Sequence, residues 1–153
     1  MRNGGGEMLL PDKDIVAITK IYRKVNLWKN EQAAPLGLTA AQVPIVILAC
    51  RKSGISQNEM VDELALEKSV VAKSIGKLME AGYITRKQNK KDKRAFDLFP
   101  TEKAQAIYPI LVQQGKNCMD LLTAGLSEDE KAALSDLLEK IVQNTYTQFL
   151  LTS

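Results

Sequence analysis

SQNEMVDELALEKSVVAKSIGKLMEAGYITRKQNKKDKR, residues 56–94, decides how the rest of the chain is read. Ser56 followed by Glu59 is a capping-box pattern, in which hydroxyl and carboxylate each satisfy a backbone N–H that the helix leaves free. Met60, Val61 and Leu64 then recur at helical spacing. Ala65 to Glu67 make a short connection. A second helix is expected from Lys68 to Ala81, with Val71, Ile75 and Leu78 on one face and Gly82 as its stop. Two helices joined by a three- or four-residue turn form the helix-turn-helix pattern of DNA-binding proteins.

Charge follows the same stretch. Residues 68–94 hold nine Lys/Arg and two Asp/Glu, a local +7 in a chain whose total is +3, so the remainder sums to −4. Such asymmetry points one surface at a polyanion. A lysine-rich run elsewhere would be read as a solvated face. Here it coincides with the second helix and the segment after it.

Composition bounds the rest. At 153 residues the chain suits one compact unit or a small module with helical extensions. Cys50 and Cys118 lie far apart on apolar stretches and offer neither a disulfide framework nor metal-ligand spacing. No run approaches the roughly 18 apolar residues that span a bilayer, and Met8-Leu9-Leu10 is too short for a signal-peptide core. A cytoplasmic protein without membrane contact is expected. Histidine is absent, and no Gly-rich phosphate loop, nucleophile elbow or zinc spacing occurs. Neither catalysis nor a cofactor or metal is expected.

Working outward, Gly4-Gly5-Gly6 and Pro11 mark residues 1–11 as a flexible N-terminus, with Asp12 as a plausible helix cap. Ile15, Ile18, Tyr22, Val25 and Trp28 then predict an amphipathic helix to about Glu31. Ala33 to Gly37 reads as a linker. Thr39 and Gln42 suggest a second capping box before a helix through Ile45, Leu48 and Ala49 to about Arg51, with Pro44 in its second turn distorting it locally. Tyr83–Gln88 and Ala95–Phe99 suit paired strands around a charged tip, Asn89 to Arg94. Thr101 caps a helix that contains Pro109, where a kink is expected. Ser127 and Glu130 form a further capping box, and Leu134, Leu137, Leu138, Ile141, Val142, Thr145 and Phe149 make the last helix amphipathic.

The first and last helices have no obvious place to bury their apolar faces within one chain. Pairing with a second copy would cover them. A symmetric dimer would also set two recognition helices one DNA turn apart, about 34–36 Å.

From about residue 12 to 150 the chain resembles the MarR family of bacterial winged-helix transcriptional regulators. The resemblance is carried by Leu38-Thr39-x-x-Gln42, by Ser56-Gln57-Asn58-Glu59-Met60-Val61 and by Lys68-Ser69-Val70-Val71-Ala72-Lys73. Leu78-Met79-Glu80-Ala81-Gly82-Tyr83-Ile84, Asp92-Lys93-Arg94-Ala95 and Gly125-Leu126-Ser127-x-x-Glu130 complete it, in order and at the right spacing. The sequence departs from the family at Pro44, Pro100, Ala104 and Gly76. The fold class implied is mainly α with a small β-hairpin wing. Residues 36–100 would form the winged helix-turn-helix. Residues 12–35 and 101–153 would form the helical dimerisation region flanking it.

The resemblance implies a homodimer that binds pseudo-palindromic double-stranded operator DNA, usually to repress. Arg94 would enter the minor groove at the wing tip, its guanidinium held by Asp92. A narrow groove concentrates negative potential and rewards a planar, permanent cation. On the second helix the core residues leave Lys68, Ser69, Ala72, Lys73 and Lys77 opposite. Lys73 suits a guanine edge and Ala72 a thymine methyl; Lys68 and Lys77 suit phosphates. Ser56 and Gln57 could offer backbone N–H groups to a phosphate. Lys90, Lys91 and Lys93 would add attraction without sequence information. The family also implies a small, often aromatic or lipophilic effector in a crevice for which Tyr22, Trp28 and Cys50 are candidate lining residues, although core packing accounts for all three. Its peroxide sensors carry a reactive cysteine on the first helix, where this chain has none. The competing expectation is a winged-helix module that binds DNA without sequence preference or binds another protein.

Overall fold

A computed structural model describes residues 4–149, with side chains from residue 12 onward. The elements run α1 (Gly4–Ala33), α2 (Val43–Arg51), β1 (Ile55–Ser56), α3 (Gln57–Leu64), α4 (Lys68–Glu80), β2 (Ile84–Gln88), β3 (Phe96–Pro100), α5 (Glu102–Leu122) and α6 (Glu128–Gln148). They fall into two compact units, divided within α5 after Gly115.

The first unit contains the helix-turn-helix and its sheet. Ser56 caps α3 as its spacing dictates: Ser56 Oγ accepts from Glu59 N–H at 3.1 Å, and Glu59 Oε2 accepts from Ser56 N–H at 3.4 Å. The turn after α3 puts Ala65 in the left-handed region at φ 52°, the one non-glycine residue there among those described. That conformation crowds a Cβ against its own backbone. Gly82, at φ +79°, takes the same region without that cost and ends α4. The core draws on α2, α3, α4, β2, β3 and α5: Ile45, Val46, Met60, Val71, Ile75, Leu78, Ile84, Leu98 and Leu111 are all essentially fully buried. Full burial of each side chain contributes about 1.5–3 kcal/mol. Tyr83 is buried too, its hydroxyl donating to the Leu36 carbonyl, and burial pushes its pKa up.

Four expectations need correction. α1 begins at Gly4, not at Asp12, because extending a formed helix costs far less than starting one. Thr39 and Gln42 build a turn ahead of α2, with Gln42 Oε1 accepting from Thr39 N–H at 3.0 Å. α2 therefore starts at Val43 and Pro44 lies in its first turn. A proline N–H would have no intrahelical partner there, so no hydrogen bond is lost. The linker after α1 closes as a 3₁₀ turn, Ala34–Leu36. Finally, the sheet has three antiparallel strands in the order β1-β3-β2, with Ile55 opposite Leu98, Ser56 opposite Asp97 and Arg86 also opposite Leu98. β1 is only two residues long, too short to show any alternation.

Thr101 caps the start of α5: its Oγ1 accepts from Ala104 N–H and donates to the Gly82 carbonyl. α5 continues through Pro109 as one helix to Leu122.

In the second unit a capping box opens α6: Ser127 Oγ accepts from Glu130 N–H at 3.1 Å, and Glu130 Oε1 accepts from Ser127 N–H at 2.9 Å. Those hydrogen bonds to Ser127 hold the Glu130 carboxyl below its ordinary value. Leu137, Leu138, Ile141 and Val142 of α6, and Phe149 at its C-cap, stay largely exposed, as do Ile15, Ile18, Ile21, Tyr22 and Leu27 of α1 in the first unit. No helix of the described residues is long and apolar enough to cross a membrane.

Candidate nucleic-acid interface

α4 turns Val71, Ser74, Ile75 and Leu78 into the core. Lys68, Ser69, Ala72, Lys73, Gly76 and Lys77 are all exposed, as the helical period requires. No side chain caps the start of this helix: Glu67 occupies the N-cap in extended conformation without a side-chain bond. Its first-turn N–H groups are therefore left for an outside acceptor. Val70 is 40% exposed beside Ser69 and Lys73, an apolar contact that sequence reasoning overlooked. Its position outside the Val71-Ile75-Leu78 stripe was the available signal.

At the start of α3, Ser56 and Gln57 are half-buried. Ser56 Oγ is already engaged by Glu59 N–H. The Glu59 carboxylate sits over the same helix end, which reduces its attraction for a phosphate.

The tip between β2 and β3 is held by polar contacts. Asn89 Oδ1 accepts from the N–H groups of Lys91 (2.8 Å) and Asp92 (3.0 Å). Asn89 N–H donates to Ala95 O at 2.9 Å, and Ala95 N–H to Asp92 O at 3.0 Å. Asp92 Oδ1 accepts from the backbone N–H of Arg94 at 3.0 Å, not from its guanidinium. The expected Asp92–Arg94 side-chain pair is thus replaced by a local turn contact, the closest acceptor geometry an aspartate has two residues before an N–H. Lys90, Lys91, Asp92, Lys93 and Arg94 are all exposed.

Two further cations belong to this segment. Arg86 lies over the Phe96 ring at 4.3 Å and Lys87 over the Phe99 ring at 5.2 Å. Stacking directs such groups without neutralising them. The whole strand β2 after Ile84 is exposed, a pattern that the apolar spacing of Tyr83 and Ile84 did not reveal. Among the described residues only Lys52–Glu63 and Lys131–Glu128 form ion pairs. Arg86, Lys87, Lys90, Lys91, Lys93 and Arg94 therefore keep their full charge unpaired. The register joins the two halves of the interface, since Ser56 at the head of α3 lies opposite Asp97 of the wing.

Known proteins match this architecture. A family model described as MarR family matches residues 36–95. The uncharacterized HTH-type transcriptional regulator YybA of Bacillus subtilis is 28% identical over 83% of this chain and 85% of its own. Among solved structures, a MarR protein from Peptoclostridium difficile superposes with a TM-score of 0.87 at 27% identity, over 91% of each chain. A putative MarR family transcriptional regulator from Listeria monocytogenes, solved in complex with a 26mer DNA, is 30% identical over 90% of this chain and 92% of that one, with a TM-score of 0.84. With its three-stranded wing and its cation-bearing second helix, the chain belongs to the MarR family of winged-helix, DNA-binding transcriptional regulators.

Proposed function

We propose that this regulator acts in the cytoplasm as a homodimeric repressor, and that each protomer reads half of a pseudo-palindromic operator. The observation that carries the proposal is the concentration of exposed cations on α4 and the wing, within the one segment whose local charge is +7. Lys73 and Ser69 in the N-terminal half of α4 would meet base edges, with Ala72 and Val70 against thymine methyls. Lys68, Lys77, Lys90, Lys91 and Lys93 would hold phosphates, and Arg94 would enter the minor groove. Ser56 and Gln57 contribute least, because Glu59 competes for their helix end. The exposed apolar faces of α1 and α6 support a second copy as partner, and nothing in this chemistry calls for catalysis.

An effector site is part of the same proposal. A cavity of about 90 Å³ lies among Trp28, Lys29, Pro44, Ile47, Leu111 and Gln114. Trp28 lines it; Tyr22 and Cys50 do not. Ordinary ligand pockets run to about 300–1,000 Å³. A small aromatic molecule would have to spread α1, α2 and α5 to enter, and α2 packs on the sheet that bears the wing.

Selection of genomic fragments by purified protein tests the proposal. Enrichment of one palindrome, lost steeply as salt rises because bound phosphates release counterions, is expected. Uniform binding of all fragments would instead make the chain an architectural DNA binder, and no binding at all would make it a protein-interaction module.

A further inference from the structure

The acids of the wing are as informative as its cations. Asp92 and Asp97 lie within a strongly basic hairpin, yet neither pairs with a lysine or arginine. Asp92 is taken by a backbone N–H. Asp97 is taken by a neutral amide: Asn89 Nδ2 donates to Asp97 Oδ1 at 3.0 Å and Oδ2 at 3.2 Å. The other end of the same carboxamide accepts the N–H groups of Lys91 and Asp92. One side chain thus links the turn that carries Arg94 to strand β3. Asp97 in turn lies opposite Lys87 on β2 and opposite Ser56 on β1.

We infer that Asn89 is a positioning residue for DNA binding, fixing the wing tip while occupying Asp97 so that no wing cation is drawn onto it. This rests on the proposed DNA-facing role of the wing. Without the amide, the Asp97 carboxylate sits in a segment of six unpaired cations, and Lys87 is directly across the strand pair. Capturing one of them removes a phosphate contact. It also releases the two N–H groups that shape the tip.

Operator titrations over a salt series test the inference, with folding followed by circular dichroism and subunit mass by light scattering. Asn89→Ala should weaken operator binding about tenfold and flatten the slope of log K against log salt by about one phosphate contact, with fold and dimer unchanged. Asn89→Asp sets two carboxylates against each other and should weaken binding further. Adding Asp97→Asn to Asn89→Asp restores a carboxylate–amide pair with polarity reversed and net charge equal to wild type. That double variant should recover to within about threefold of wild type. Asn89→Ala binding within twofold of wild type, an unchanged salt slope, or a folded double variant that fails to recover would each overturn the role of Asn89 while leaving the wing itself intact. Wild-type protein that binds no operator would overturn both readings.

Discussion

Replacing Gly76 with alanine should give a more stable protein that binds DNA less well. Gly76 sits in the interior of α4, exposed, and a Cβ built on it meets no atom within 4 Å. The glycine is therefore not required by any contact inside the chain. A mid-helix glycine costs about 1 kcal/mol relative to alanine, because its backbone surrenders more freedom on folding. That is roughly a fivefold change in the folding equilibrium. For a chain of 153 residues it corresponds to a rise in Tm of about 2–4 °C. Thermal unfolding followed by circular dichroism measures it, at one fixed concentration because the Tm of a dimer depends on concentration. A Tm unchanged or lowered would refute the stability reasoning. The DNA arm is separate. Gly76 shares its face with Ser69, Ala72 and Lys73, where a bare backbone permits close approach to the duplex. Gly76→Ala should weaken operator affinity by about tenfold, or about 1.4 kcal/mol. Full affinity together with a raised Tm would show that the helix does not press on DNA at this point.

Arg94→Ala should reduce operator affinity at least tenfold while light scattering still finds a dimer; unchanged affinity at moderate salt would contradict the wing-tip assignment. Ser127→Ala should cost about 1 kcal/mol in denaturant unfolding by removing the α6 cap. Because the folded Glu130 carboxyl is held below its ordinary value, its stabilisation is present above the unfolded carboxyl pKa. It is lost as pH falls through the folded value. Glu130→Gln, which removes the titrating carboxyl, should accordingly flatten the acid-side decline in stability, and an identical acid profile would reject the linkage. Cys50 is half-buried and desolvation raises its thiol pKa, so little thiolate exists at neutral pH. Peroxide should leave operator binding unaltered in wild type and in Cys50→Ser alike, and oxidant-dependent release abolished by Cys50→Ser would reverse this.

Local chemistry made much of the fold readable. Capping boxes at Ser56 and Ser127, the glycine stop at Gly82 and the core stripe of Val71, Ile75 and Leu78 all depend on residues within a turn or two of one another. What escaped depends on partners distant in the chain. Ile55 and Ser56 become a strand only because Leu98 and Asp97 lie alongside them. Pro44 changes from an expected defect to a first-turn residue once Gln42 closes the preceding turn. Among the candidate contacts, the exposed lysines of α4 followed from periodicity. The cations of β2 did not, since their placement reflects stacking on Phe96 and Phe99 across the hairpin. Asp92 and Arg94 were found as residues, but proximity in sequence does not say whether a carboxylate will choose a side chain or a backbone N–H.

Ser56 belongs to two elements at once, as the last residue of β1 and the cap of α3. The hairpin is consequently not a detachable part. A wing transplanted from another regulator would arrive without the short strand it was shaped against, and the mismatch would be felt at the first turn of α3. Chimeras meant to exchange minor-groove preference should therefore carry residues 55–56 along with 84–100, a splice that the linear order of the chain gives no hint of.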